Sequence, residues 1–207
     1  MRKISFTLLA ILIFALAMIV PAFAEEANVI MEIPQSLNLN TFQNTQIKLY
    51  GSMSMSKKAS VSLNSEDGFI LRNELNANSA IPFEVFCDGR AVSPGSTIIS
   101  VKPTELATGK ISTIGISARD YPNTSGRFTD ILTFTLSLTD NPLTSIGITT
   151  APNKTEYLAG ESFDPTGMVV TAYYADGSSA AVTNYSIAGG SNLSSNSSTV
   201  TVSYTEN

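Results

Sequence analysis

Between Leu132 and Leu138 the sequence reads LTFTLSL, in which large apolar residues alternate strictly with Thr and Ser. A period of two sends successive side chains to opposite faces of a strand, so this run predicts a β-strand with one face in a core and the other in water. Similar short runs recur along the chain, separated by turn residues such as Asp88-Gly89. No stretch of a dozen residues carries apolar positions at helical spacing. The sequence therefore predicts an all-β protein.

Strands are predicted throughout the first two thirds of the chain. They cover residues 28–33, 45–51, 59–63, 68–72, 80–86, 96–101, 110–118 and 130–138. Pro82 lies within the fifth run and has no backbone N–H to donate. We therefore expect that this strand lies at the edge of its sheet.

The first 24 residues have the pattern of a secretory signal peptide. Arg2 and Lys3 precede an apolar run at residues 4–20, Pro21 breaks that run, and small residues precede the expected cleavage point after Ala24. We expect a secreted or cell-surface protein with no membrane insertion after cleavage. The alternative is an uncleaved N-terminal anchor, for which the apolar run is slightly short.

The composition excludes several classes of function. The chain has 12 basic and 17 acidic residues; without Arg2 and Lys3 the count is 10 against 17, or −7. An acidic exported chain is a poor binder of nucleic acid. It has no His, which excludes a Ser-His-Asp triad and a His-ligated zinc. The single cysteine, Cys87, cannot form an internal disulfide and is interpreted as a buried small hydrophobe, with a free or intermolecular thiol as the alternative.

Acidic residues in the second half raise the question of a calcium site. Glu161 and Asp164 are close in sequence, and Asp176 follows twelve positions later, without the run of carboxylates that a calcium loop requires. We interpret Glu161 and Asp164 as turn residues, and Asp176-Gly177 as the turn of a hairpin. We predict no catalytic residue, no metal and no cofactor, and therefore no enzyme.

The polar, proline-containing segment at residues 140–142 is typical of a linker between domains. We expect a signal peptide at 1–24, a β-sandwich domain at 25–139, the linker at 140–142 and a second domain at 143–207. The fold prediction is thus two tandem β-sandwich domains after a signal peptide.

The second domain carries the most specific pattern. It reads LTSIGITTAPNKTEYLAGESFDPTGMVVTAYYADGSSAAVTNYSI at 143–187 and STVTVSYTEN at 198–207. These stretches resemble the group 3 bacterial immunoglobulin-like (Ig-like) domains of Gram-positive surface proteins. The resemblance implies an Ig-like β-sandwich that serves as a structural spacer or adhesive module without catalytic residues. Another strand usually follows the SYTEN turn in that family, so this domain is expected to lack its last strand. We expect that the sequence is truncated after Asn207; the alternative is a strand supplied by another chain.

The first domain has a weaker resemblance. YPNTSGRFTDILTFTLSL at 121–138 and FILRNELNANSAIPFEVFCDG at 69–89 are similar to parts of secreted pilin-like and spore-coat-type β-sandwich domains. This resemblance implies an exported sandwich involved in surface structure.

These observations predict an exported bacterial cell-surface protein with a structural or adhesive role. Its expected partners are other surface proteins or host or cell-wall glycans. The alternative is a glycan-binding accessory module of a secreted or cell-wall-attached carbohydrate-active protein. Tyr173 and Tyr174 are the candidate ligand or partner contacts, because they are neighbours on one predicted strand and one of them must face water.

Overall fold

The computed structural model describes residues 27–37, 39, 45–76, 78–118, 126–194 and 199–206. These residues form two compact units: unit 1 extends to Thr139, and unit 2 begins at Asp140. The predicted signal peptide lies outside the described residues. The described secondary structure is almost entirely β, which confirms the all-β prediction.

Most of the strands lie in unit 1. They are β1 (Asn28–Glu32), β2 (Thr45–Ser52), β3 (Lys57–Ser65), β4 (Ile70–Asn73), β5 (Ala80–Cys87), β6 (Arg90–Val92), β7 (Ser96–Val101), β8 (Lys110–Ala118), β9 (Phe128–Thr129) and β10 (Leu132–Asp140), and one helix, α1 (Pro103–Thr108), lies between β7 and β8. Each run that the sequence predicts overlaps one of these strands, and the bounds differ by at most two residues at either end.

Two sheets enclose the core of unit 1. The larger has the order β1-β2-β8-β5-β4-β9, with β6 also paired to β5, and the smaller has the order β10-β3-β7. Alternate residues of both sheets point into one apolar cluster, as with Ile47 and Leu49 on β2 and Val61 and Leu63 on β3, all fully buried. Burying each such side chain contributes about 1.5–3 kcal/mol, so the period-two pattern is what holds the two sheets together.

The sequence reading missed the shortest elements of unit 1. β6 and β9 have three and two residues, which is too few to show a period. α1 has six residues, and its signals are local: Pro103 at the start, the Glu105 carboxylate accepting the Lys102 N–H at 3.0 Å, and Gly109 at positive φ after the last turn. A search for long helical periodicity cannot detect such a helix.

The expectation that Pro82 marks an edge strand is wrong. β5 lies inside the larger sheet, between β8 and β4. The Phe83 N–H donates to Phe69 O on the β4 side at 2.9 Å, so the Pro82 nitrogen points toward β8. The described β5–β8 pairing begins one residue later, at Phe83 opposite Ala118. The nitrogen that cannot donate therefore lies on the β8 side, next to the last described pair of this ladder.

The described residues of unit 2 form two small sheets. β11 (Leu143–Thr150), β12 (Val169–Tyr174) and β13 (Ser179–Val182) form one in that order, and β14 (Ser186–Ala188) pairs with β15 (Thr201–Ser203) in the other. Val170 and Ala172 of β12 are fully buried. Met168, Tyr174 and Leu193 complete the buried apolar group among the described residues of this unit.

Two irregularities mark β11. Its register against β12 shifts between Leu143 and Ser145 and again between Ile148 and Thr150. The extra residues are Thr144 and Thr149, whose hydroxyls donate to Tyr173 O at 2.9 Å and Val169 O at 3.4 Å. Such bulges bend and twist the strand that carries them.

The β12–β13 hairpin closes through the predicted turn. The Gly177 N–H donates to Tyr174 O at 2.9 Å, and the Tyr174 N–H donates to Ser178 O at 3.0 Å. Gly177 has φ of +78°, whereas Asp176 keeps a negative φ. This is a type I turn followed by a glycine bulge, so only the second residue of Asp176-Gly177 needs the left-handed conformation.

Candidate functional site

The two candidate tyrosines lie on opposite faces of β12. Tyr174 is 5% exposed and packs in the unit 2 core, whereas Tyr173 is 38% exposed on the outer face. The sequence predicted that one of the pair faces water, but it could not identify which one. Only Tyr173 is therefore placed where a ligand or partner could reach it, and a ligand role for it stays a prediction.

The contacts of Tyr174 are those of a residue that stabilises the fold. Its hydroxyl donates to Glu206 Oε1 at 2.8 Å, which ties the segment after β15 to the end of β12. Burial, and then the hydrogen bond to Glu206, raise the pKa of the Tyr174 phenol far above its usual value. Tyr174 therefore remains neutral and serves as a hydrogen-bond donor.

Tyr173 lies among small residues. Ser145 of β11 and Ser179 of β13 are its direct cross-strand neighbours on the outer face. The ring also leans over Gly147, where an added Cβ would lie 3.3 Å from Tyr173 Cε2 and 3.8 Å from its hydroxyl. The absence of a side chain at Gly147 leaves room for the ring to lie along the sheet.

The carboxylates of the second half form turns. Glu161 accepts hydrogen bonds from Lys154 Nζ and from the Leu158 N–H, both at 2.8 Å, and the first of these lowers its pKa. Asp164 accepts from the Thr166 hydroxyl and N–H, which lower the pKa of Asp164 in the same way. Asp176 accepts from the Ser178 N–H at 2.8 Å. These contacts confirm the interpretation of the three acids as turn residues.

No metal cluster is found among the residues that the structure describes. In the same part of the chain, no helix is long and apolar enough to cross a membrane. Cys87 is buried, as predicted, and its Sγ–H points to Ile98 O at 3.6 Å. Burial raises the pKa of this thiol, which keeps it in the unreactive protonated form.

A tyrosine that the sequence reading did not single out braces the connection between β11 and β12. The Tyr157 hydroxyl donates to Lys154 O at 2.9 Å and accepts the Asp164 N–H at 3.1 Å. Its ring lies 6.0 Å from the Phe163 ring and 4.8 Å from Lys154 Nζ. Its partners are three to seven positions away in loop sequence, where no periodicity could have revealed them.

Unit 1 contains a buried acid that sequence reasoning also missed. Asp130 is 2% exposed; its Oδ2 accepts from the Ser65 hydroxyl at 2.6 Å, and its Oδ1 accepts from the Asp67 N–H at 3.2 Å. Ser65 in turn accepts the Phe69 N–H at 2.7 Å. The group joins the start of β10 to the turn between β3 and β4, and its contacts are those of a structural brace.

Unit 2 is all-β, three of its acids (Glu161, Asp164 and Asp176) serve turns, and Tyr173 lies exposed on the outer face of a sheet. These are features of a structural or interaction module. The comparison with protein families is consistent with this class. Residues 150–207 match the family model of the bacterial Ig-like domain (group 3). The resemblance predicted from the sequence is thus confirmed for this segment, which indicates a bacterial surface module of a typically non-catalytic kind. No curated protein matches the chain.

Proposed function

We propose that the chain is an exported bacterial cell-surface protein in which two tandem β-sandwich domains follow a cleaved signal peptide. The domains act as a spacer or adhesive scaffold for other surface components. The observation that carries this proposal is the match of residues 150–207 to the bacterial Ig-like domain. The signal-like pattern of residues 1–24 supports export.

The arrangement of unit 1 supports a mechanical role. Its larger sheet is antiparallel at each of its recorded pairings, and two sheets share one buried core. A sheet is separated only by breaking several hydrogen bonds together with the core contacts beneath them. Such a unit suits a role in which it transmits or resists force between its ends.

Export can be tested in a bacterium that expresses the full chain. We expect the protein at the cell surface or in the medium, with Glu25 as its first residue by mass spectrometry. Ala24→Lys should leave residues 1–24 attached, because the position before the cut requires a small side chain. The same change at Ala27 is the matched control and should leave processing intact. Unprocessed chains confined to the cytosol would refute the proposal.

The scaffold role needs a separate measurement. Cells that lack the chain should lose adhesion to a host-cell layer or release other surface proteins into the medium. Wild-type protein should restore whichever property is lost, whereas the Ala24→Lys chain, which keeps residues 1–24, should not. Unchanged adhesion and surface composition in the deletion strain would count against a structural or adhesive role.

A further inference from the structure

The outer face of the β11–β12–β13 sheet has an unusual composition around Tyr173. Its residues are Ser145, Gly147 and Thr150 on β11, Val169, Thr171 and Tyr173 on β12, and Ser179 and Ala181 on β13. None of them is charged. We name this set the Tyr173 face.

Small neighbours leave the Tyr173 ring open. A bulky residue at Ser145, Gly147 or Ser179 would stand beside the ring and cover it, but the largest side chain at these positions is a hydroxymethyl group. Tyr173 accordingly keeps 38% of its surface in water although it lies mid-sheet between two paired strands. The result is an aromatic surface at the level of the sheet.

Hydroxyl groups flank this ring without being used by the fold. Within the described part of the chain, the hydroxyls of Ser145 and Ser179 make no hydrogen bond, whereas Thr171 is paired with the Thr149 hydroxyl at 2.8 Å. Each free serine hydroxyl offers one donor and two acceptor sites beside the ring. A pyranose ring has an apolar C–H face and hydroxyl groups around its rim. An aromatic ring with free hydroxyls on both sides is complementary to both of these features.

We propose that the Tyr173 face binds a neutral carbohydrate. The C–H face of one pyranose unit would cover the Tyr173 ring, and its hydroxyls would exchange hydrogen bonds with Ser145 and Ser179. The lack of charged groups on this face selects against acidic sugars, which would be desolvated there without a counterion. This proposal goes beyond the scaffold role, and either can fail without the other.

Binding can be measured by NMR on the full chain from the backbone amides of β11, β12 and β13, which report in every variant, and from ¹³C-labelled tyrosine rings. The probes are cellohexaose, maltohexaose and the tetramer of N-acetylglucosamine, with oligogalacturonate as the acidic comparator. We expect saturable shifts of a single tyrosine ring with at least one neutral probe. The dissociation constant should be on the order of 1 mM, because one ring on a flat face buries little area.

Variants then assign the site. Tyr173→Ala should weaken binding at least about tenfold, whereas Tyr173→Phe, which keeps the ring, should stay within about threefold of wild type. Ser145→Ala with Ser179→Ala should weaken binding about threefold to tenfold. Tyr50→Ala is the matched control, because Tyr50 is also 38% exposed but lies in unit 1. It should bind like wild type.

Several results would overturn the proposal. They are no saturable shift with any neutral probe, binding of oligogalacturonate alone, and binding that survives Tyr173→Ala. The export measurement determines the first residue of the processed chain and does not involve Tyr173, so its failure would be recognised separately.

Discussion

Asp130 shows how one buried side chain can make stability depend on pH. Burial raises the pKa of its carboxyl, and its hydrogen bonds to Ser65 and Asp67 offset this only in part. Below the ordinary Asp pKa of about 3.9, the carboxyl is protonated in the folded and unfolded states alike. As the pH rises from there to the raised folded pKa, the unfolded state loses its proton first, so Asp130 lowers the free energy of unfolding.

We therefore expect Asp130→Asn, which cannot ionise, to gain stability relative to wild type as the pH rises. Near pH 3.5 the two chains should differ by no more than about 1 kcal/mol, since the amide resembles the protonated acid in shape and hydrogen bonding. Above the folded pKa of Asp130 the variant should be the more stable. Urea unfolding at a series of pH values measures the difference in the free energy of unfolding between variant and wild type. The contributions of the other titrating groups are common to both chains and cancel in this difference. A difference that stays constant or moves the opposite way would contradict the assignment.

At the scale of the element, Gly51 controls the attachment of β1. It has φ of +129° and pairs with Val29, and a Cβ at this position would collide with the Asn28 carbonyl oxygen. Gly51→Ala should therefore detach β1 from β2 and cost about 2–4 kcal/mol, through strain and lost pairing. Hydrogen exchange should show lost protection at Ile30 and its neighbours in β1. The control is Gly115→Ala on β8, which has no positive φ. Equal protection of β1 in wild type and Gly51→Ala would refute this role.

The strands themselves were largely predictable, because alternation such as that of Leu132, Phe134 and Leu136 is a local property of the sequence. What sequence could not supply is the identity of a strand's neighbours. Pro82 was expected at an edge, but β5 lies between β8 and β4, and those two neighbours come from other parts of the chain. Contacts of individual side chains are equally hard to predict from sequence, because they also depend on distant parts of the chain. The partner of Asp130 is Ser65, 65 positions away, and the choice between Tyr173 and Tyr174 depends on the side on which the core lies.

At the scale of the whole molecule, unit 1 has the elements of an independent domain. Its core draws on both of its sheets and on Leu106 of α1. We expect residues 25–139, expressed alone, to unfold cooperatively in urea, because a chain of this length can bury a sufficient core. Leu63→Ala in this fragment should lower the free energy of unfolding by about 2–5 kcal/mol. Exposed Leu75→Ala is the control and should change it by less than about 0.5 kcal/mol. A fragment without a cooperative transition would show that unit 1 requires the rest of the chain.

The two register shifts in β11 affect how copies of the chain behave when they are packed closely together. In the part of the chain that the structure describes, β11 pairs only with β12, and it contains neither a charged residue nor proline. A flat strand of that composition would be a template for adding strands from other copies, as in fibril growth. The bulges at Thr144 and Thr149 disturb the even spacing of its free donors and acceptors. We therefore expect that chains packed side by side at high density stay separate instead of polymerising edge to edge.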